Sequence, residues 1–320
     1  MTEKKNLLSN GLGMVTHNKR YIVWFWLLSI ALAAIGTVGL RESAHTILDH
    51  SLYAQKLTHG FDLSVYIEML IRPEFGPMTT TTLPAVYSAV VFFLAMALFL
   101  PGIIAGYAST YRLPREDFFR ACGRNLWRFI RILIITGIIM GIVAGILFGI
   151  NGAIVKKAGE STNEVLPFEL RMIGLGVIFL IMTTLRIWFD LAETDTVLND
   201  QRAVRKSIAA GFRHTFRGLG RLLGSYIVAA IAAVILLWAG LWIWSHAVSP
   251  ESVLGAFAVS QLTLLLLLIP RFWQRSVAVS YWKQYMVIPV VPVQPMAQVA
   301  ATPVTSEPPV SPTPTPAPTA

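Results

Sequence analysis

The sequence predicts an all-α, polytopic membrane protein built as a six-transmembrane-helix bundle, and three observations predict it. Six apolar runs, roughly 21–40, 83–107, 129–150, 171–189, 223–244 and 253–269, each come close to the ~20 residues that an α-helix needs to cross a hydrocarbon core ~30 Å thick. Hydrophobic residues make up 55% of the chain and charged residues 13%, against about 25% charged in a soluble domain. Lys and Arg gather between alternate pairs of runs, the arrangement that the positive-inside rule produces in a multi-pass protein.

The charge partition also fixes an expected orientation. Of the 26 Lys and Arg, only Arg41, Lys56, Arg72, Lys156, Lys157 and Arg171 fall on the opposite side from the N-terminus. Both termini are therefore expected in the cytoplasm, and the protein is expected in a bacterial inner membrane. The formal net charge of +9 reads as a topology signal and an attraction to anionic lipid headgroups. Nucleic acid is not expected as a partner, because the cations are spread over loops that flank membrane spans.

Taken in order, residues 1–20 form a cytoplasmic N-terminal segment, and residues 21–285 form the transmembrane domain. The first run is preceded by about 20 residues and is long enough to span, so it reads as an uncleaved span rather than a secretory leader. The outer loop 41–82 opens on Ser43, a plausible N-cap, and carries Ile47, Leu48, Leu52 and Leu57 at helical spacing. Gly60 breaks that pattern and Asp62 starts a second short helix that Pro73, Gly76 and Pro77 end, so two short helices are expected there. Pro101 and Gly102 near the end of the second span predict a kink or local unwinding.

Two cytoplasmic segments, 111–128 and 190–222, read as interfacial amphipathic elbow helices leading into spans 3 and 5. In the first, Arg120, Arg124, Arg128 and Arg131 follow helical spacing beside Phe118, Phe119 and Trp127; in the second, Arg213, Arg217 and Arg221 repeat the design. Aligning Arg124 and Arg128 with Arg213 and Arg217 gives an internal correspondence between the two elbows. These seven arginines, with Arg186, are the residues expected to meet lipid headgroups. From 286 to 320 the chain is rich in Pro, Thr and Ala with almost no charge. Such a stretch cannot bury enough surface to offset its ordering entropy, so a disordered tail is expected.

Within the spans the sharpest pattern is Gly137, Gly141, Gly145 and Gly149, every fourth residue of span 3. Glycines so spaced form one stripe along a helix and let a second helix approach closely, so they read as a helix-packing face, within the fold or between two copies. Gly220, Gly224, Ala229 and Ala232 of span 5 offer a matching surface. No Asp or Glu lies in the middle of a span, which leaves carboxylate-coupled transport and intramembrane aspartyl catalysis without their residues. Arg186 precedes Asp190 by four residues and Glu193 by seven, the spacing of an ion-paired collar at the inner interface. No histidine lies deep in a span and Cys122 is the single cysteine, so no metal, haem or other cofactor is expected.

The stretches GLGMVTHNKRYIVWFWLLSIALAA, SLYAQKLTHGFDLSVYIEML and WFDLAETDTVLNDQRAVRKSIAAGFRHTFR together resemble a broad group of uncharacterised six-span bacterial inner-membrane proteins, over roughly residues 11–285. The resemblance implies a six-helix bundle and carries over no catalytic residues. ACGRNLWRFIRIL, residues 121–133, is also similar to the coupling loop of ABC importer permeases, although that family's Glu-Ala-Ala start and terminal Pro are missing. The reading that follows is a non-enzymatic integral membrane protein with an organising or accessory role in an envelope process. Its partners are anionic lipid and either another membrane protein or a second copy of itself. A permease or channel component is the second class, and an intramembrane enzyme acting on lipids the third.

Overall fold

The computed structural model describes residues 6–38, 41, 67, 78–109, 111–161, 163, 165–249 and 252–287, with the backbone alone for 78–82. Every regular element among them is helical: α1 (Leu7–His17), α2 (Lys19–Gly36), α3 (Met78–Ala108), α4 (Arg115–Ala158), α5 (Leu166–Leu198), α6 (Val204–Arg217), α7 (Leu219–Ala247) and α8 (Val253–Tyr281). One π-helical turn, Trp282–Met286, continues α8. Six of these helices, α2 to α5 with α7 and α8, are long and apolar enough to cross a membrane. All of them belong to one compact unit that ends at Met286. The two short helices expected in the loop 41–82 lie outside the described residues, apart from the single residue Ile67, and so does the Pro-rich tail beyond Val287.

Successive helices pack as neighbours, α2 on α3, α3 on α4, α4 on α5 and α7 on α8, while α6 lies on α5 and α1 returns to lie on α8. At the level of the spans the helices turn much of their surface outward: Ile134, Ile138, Ile142 and Ile146 of α4 are each more than half exposed, as befits side chains that lipid will cover. The solvent-independent core sits elsewhere. It occupies the end of the molecule where α1, α6 and the start of α4 surround the last turns of α5 and α8, here named the basic end. There the runs 189–196 of α5 and 276–282 of α8 are buried on every face.

α1 is not among the sequence expectations, which leave residues 1–20 as a plain segment. Asn6 caps it, its side chain accepting from the Leu8 N–H, and Leu7, Gly11 and Val15 form its buried stripe. That stripe needs only one residue per turn, too short and too polar a pattern to stand out beside a 20-residue span. The elbow before span 3 feeds into it without a break: α4 is continuous for 44 residues, and its buried Phe118, Cys122, Asn125 and Phe129 carry the amphipathic face into the span. Of the kink or unwinding expected at Pro101, unwinding does not occur. α3 stays helical to Ala108, and Gly102 serves a close approach instead, since a Cβ there would lie 2.6 Å from the Phe118 ring.

The internal correspondence is also other than the two elbows suggest. α1 matches α6, and the helices they lie on match each other. α5 carries Arg186-Ile187-Trp188 and α8 carries Arg271-Phe272-Trp273. The Trp188 indole N–H donates to the Ile208 carbonyl of α6 at 2.7 Å, and the Trp273 indole N–H to the Leu8 carbonyl of α1 at 2.9 Å. Each crossing is made on a glycine. A Cβ on Gly211 would lie 2.8 Å from the Trp188 carbonyl oxygen, and one on Gly11 3.0 Å from Val277. Leu7, Gly11 and Val15 are buried along α1 just as Ser207, Gly211 and Thr215 are along α6.

Candidate functional site

Two arrangements at the basic end bring chemistry-bearing side chains together. The first is a charge cluster between α5, α7 and α8. Asp190 and Glu193 are 4% and 3% exposed, and their helix buries them because Ile187 and Leu191, one turn apart on the same element, anchor the apolar core around Tyr226 and Val277. Arg275 reaches both acids: its Nη1 is 3.2 Å from Asp190 Oδ1 and bonds Glu193 Oε2. The Tyr226 hydroxyl donates to Asp190 Oδ2 at 2.7 Å, and Arg186 Nε approaches the same oxygen at 3.9 Å. A carboxylate taken out of water is tolerated only with partners of this kind. Asp195, a turn below, accepts from Asn199 at 2.6 Å and from the Trp282 indole at 3.3 Å.

The collar that the Arg186, Asp190 and Glu193 spacing suggests is thus present, but Arg186 is its weakest member. Arg275 on α8 is the principal counter-ion and Tyr226 on α7 the principal donor. Neither follows from the spacing along α5, because both come from helices distant in sequence. The one signal available was the acidic run 190–195 itself, three carboxylates at the end of an apolar helix that had to find cations somewhere.

The second arrangement is the outer layer of arginines around the basic end, called the sheath below. The eight arginines expected to meet headgroups divide into two groups. Four are engaged by carboxylates: Arg120 by Glu116 and Asp117, Arg186 by Asp190, and both Arg124 and Arg128 by Asp200. Asp200 stands in a left-handed backbone conformation, φ 48°, and its bond with Arg128 leads the effects that hold its carboxyl below the usual range. It ties the loop before α6 to α4. Among the described residues, Arg131, Arg213, Arg217 and Arg221 meet no carboxylate. Arg131 stacks on Trp127 and Arg221 donates to the Tyr285 hydroxyl at 2.8 Å. A cavity of about 630 Å³ opens beside His214, Arg217, Gly218, Arg221, Tyr281 and Tyr285. Burial, then the charges of Arg217 and Arg213, push the His214 imidazole below its ordinary value. Phe212 and Phe216 lie exposed beside Arg213 and Arg217, an apolar-and-basic surface on one helix.

The glycine stripe has no part in either. A Cβ at Gly137, Gly141, Gly145 or Gly149 would meet no atom within 4 Å. α4 contacts α5 through another face, where Asn151 presses on Gly174, and α7 packs on α8 with Gly240 against Thr263. The partner surface expected on span 5 is likewise open at Gly220 and Gly224. Among the described residues, therefore, nothing packs on the stripe.

Six spans, an all-helical bundle and a basic end with a buried charge cluster define a multi-pass membrane protein. No family model, no curated protein and no solved structure matches the chain.

Proposed function

We propose that the protein is a non-enzymatic organising or accessory component of an envelope process, held in a bacterial inner membrane with both termini in the cytoplasm and using its basic end as the working surface. The observation that carries this reading is the set of arginines on the sheath that no carboxylate among the described residues neutralises, Arg131, Arg213, Arg217 and Arg221, beside the exposed rings of Trp127, Phe212 and Phe216. Such a surface seats in an anionic headgroup layer, each cation near the surface contributing ~1 kcal/mol. The buried acids support a structural role, since Asp190 and Glu193 are occupied by Arg275 and Tyr226. Three hydroxyls in the spans bond their own helix, Ser29 to Phe25, Thr184 to Leu180 and Thr263 to Val259, whereas those of Ser88 and Thr136 are buried without a partner among the described residues.

The test uses proteoliposomes. Heat-induced exposure of Cys122, the chain's single cysteine and a buried one, reports unfolding through reaction with a maleimide. Anionic lipid should raise the midpoint over neutral lipid at low salt, and Arg213→Gln with Arg217→Gln should remove most of that rise. On a Cys122→Ser background, Lys206→Cys should react only from the cytoplasmic side and Lys156→Cys only from the other. A solute flux above that of empty vesicles would replace this reading with the permease.

A further inference from the structure

Arg271 has lost the partner that its counterpart keeps. On α5, Arg186 has Asp190 four residues on; on α8, the residue four after Arg271 is Arg275. The two acids of the cluster are already shared by Arg186 and Arg275. Three arginines therefore stand against two carboxylates, and among the described residues Arg271 makes no ion pair. Its guanidinium carbon lies 5.7 Å from the centre of the Phe92 ring. Phe92 is in the middle of α3, sixteen residues before its end at Ala108, or ~24 Å along the helix axis. The sequence alone puts Arg271 past the sixth span. A helical side chain leans toward its own N-terminus, though, and on α8 that carries the charge back toward hydrocarbon depth.

There Arg271 closes one end of a groove of about 420 Å³ between α2, α3 and α8. Ser29 lies beside it, and Thr37 marks the groove's far end. Eight residues of α2 separate the two, so the groove is ~12 Å long, comparable with one leaflet of a ~30 Å core. Between those ends the walls are small or apolar, Ala33, Gly36, Ala85, Ala89, Leu264 and Leu268, with the Ser88 hydroxyl the one polar group among them. The site is thus amphipathic along its length, with a single uncompensated cation at the end nearest the basic face. An unpaired guanidinium at this depth is costly unless an anion meets it, and walls of this kind suit a hydrocarbon chain better than a hydrated ion.

We propose that the groove holds one phospholipid of the leaflet at the basic end, its phosphate on Arg271 and one acyl chain lying between α2, α3 and α8 toward Thr37. Arg271 forms charge-assisted bonds to two phosphate oxygens, the geometry guanidinium favours. The site is separate from the sheath arginines, so either reading can fail without the other.

Native mass spectrometry of the purified full chain, titrated with phosphatidylglycerol or with phosphatidylcholine of the same chains, tests this. Wild type should retain one lipid per chain under delipidation that strips the rest, and the anionic lipid should be held more firmly. Arg271→Gln should lower that occupancy about tenfold or more, the range of a hydrogen bond to a charged group, with Arg271→Lys between. Arg213→Gln with Arg217→Gln should leave it unchanged. Ala89→Trp, which fills the groove and spares the arginine, should abolish it. This variant keeps the test open if Arg271→Gln fails to fold by the Cys122 heat assay. Equal retention by Arg271→Gln or by Ala89→Trp would overturn the site. Displacement of the lipid by inorganic phosphate alone would show an anion site with no acyl chain, and would overturn it equally.

Discussion

Replacing Arg275 by Met removes the cation that holds two buried acids. Met keeps much of the length and apolar stem of Arg, so packing changes little and the electrostatic loss stands nearly alone. Arg275 is 18% exposed in its side chain, and its partners Asp190 and Glu193 are 4% and 3% exposed. Water cannot take over its role without opening the packing around Tyr226 and Ala278. Removing one member of a buried pair costs ~3 to 5 kcal/mol, because the remaining charge keeps its desolvation penalty. Asp190 retains the Tyr226 hydroxyl and the distant Arg186, whereas among the described residues Glu193 has Arg275 as its only ion-pair partner. Glu193 should therefore account for most of the loss. Arg120→Ala supplies the contrast, since its pairs with Glu116 and Asp117 are 67%, 81% and 44% exposed and exposed pairs contribute ~0 to 1 kcal/mol. In the maleimide assay on Cys122, Arg275→Met should unfold at a clearly lower temperature and Arg120→Ala close to wild type. Adding Glu193→Gln to Arg275→Met should recover a large part of the difference. An unchanged midpoint for Arg275→Met, or no recovery in the double variant, would refute the account of the cluster as a buried ion network.

The two kinds of glycine should separate cleanly. Gly211→Leu forces a side chain against the α5 backbone at Trp188 and Ala192 and should cost ~1 to 3 kcal/mol or more, whereas Gly141→Leu meets open space and should leave the isolated chain's midpoint unaltered. A lowered midpoint for Gly141→Leu, accompanied by a change in particle mass, would reveal a second chain on that stripe. His214 sets a pH dependence: its folded-state affinity for protons is below that of the unfolded chain, because burial and then Arg217 and Arg213 oppose its charge. Its contribution to stability is whole above the unfolded value of ~6.5 and is lost as pH falls through the lower folded one. Between pH 7.5 and 5.5 the wild-type midpoint should drop more than that of His214→Gln, and an equal drop in both would remove His214 from the explanation.

Much of this molecule follows from sequence because lipid simplifies the problem. A span must satisfy its backbone internally, so a long apolar run becomes a helix with no need to know its neighbours. That is why all six spans, and the amphipathic face from Phe118 to Arg131, can be read one segment at a time. The same logic fails where contact partners decide. Gly141 and Gly211 look alike in sequence, yet one faces open space and the other lies under the Trp188 carbonyl. Arginines at equal helical spacing divide into those that Asp200 captures and those left for other ligands. α1 is not legible in the sequence because an 11-residue helix gains its stability from docking on α8, through Trp273 and Ser276 bonding the carbonyls of Leu8 and Gly11, rather than from its own composition.

Sequence by itself determined the number of spans, their helical form and the accumulation of positive charge at one end, since each depends on local hydropathy and on charge counted along the chain. Tertiary structure alone decided which acids are buried, which arginines stay uncompensated and which glycines are close contacts. Those properties belong to pairs of residues such as Asp190 with Arg275, or Arg271 with Phe92, brought together from distant parts of the chain. The free energy of a charge is set by what surrounds it in space, and no spacing along one helix records that.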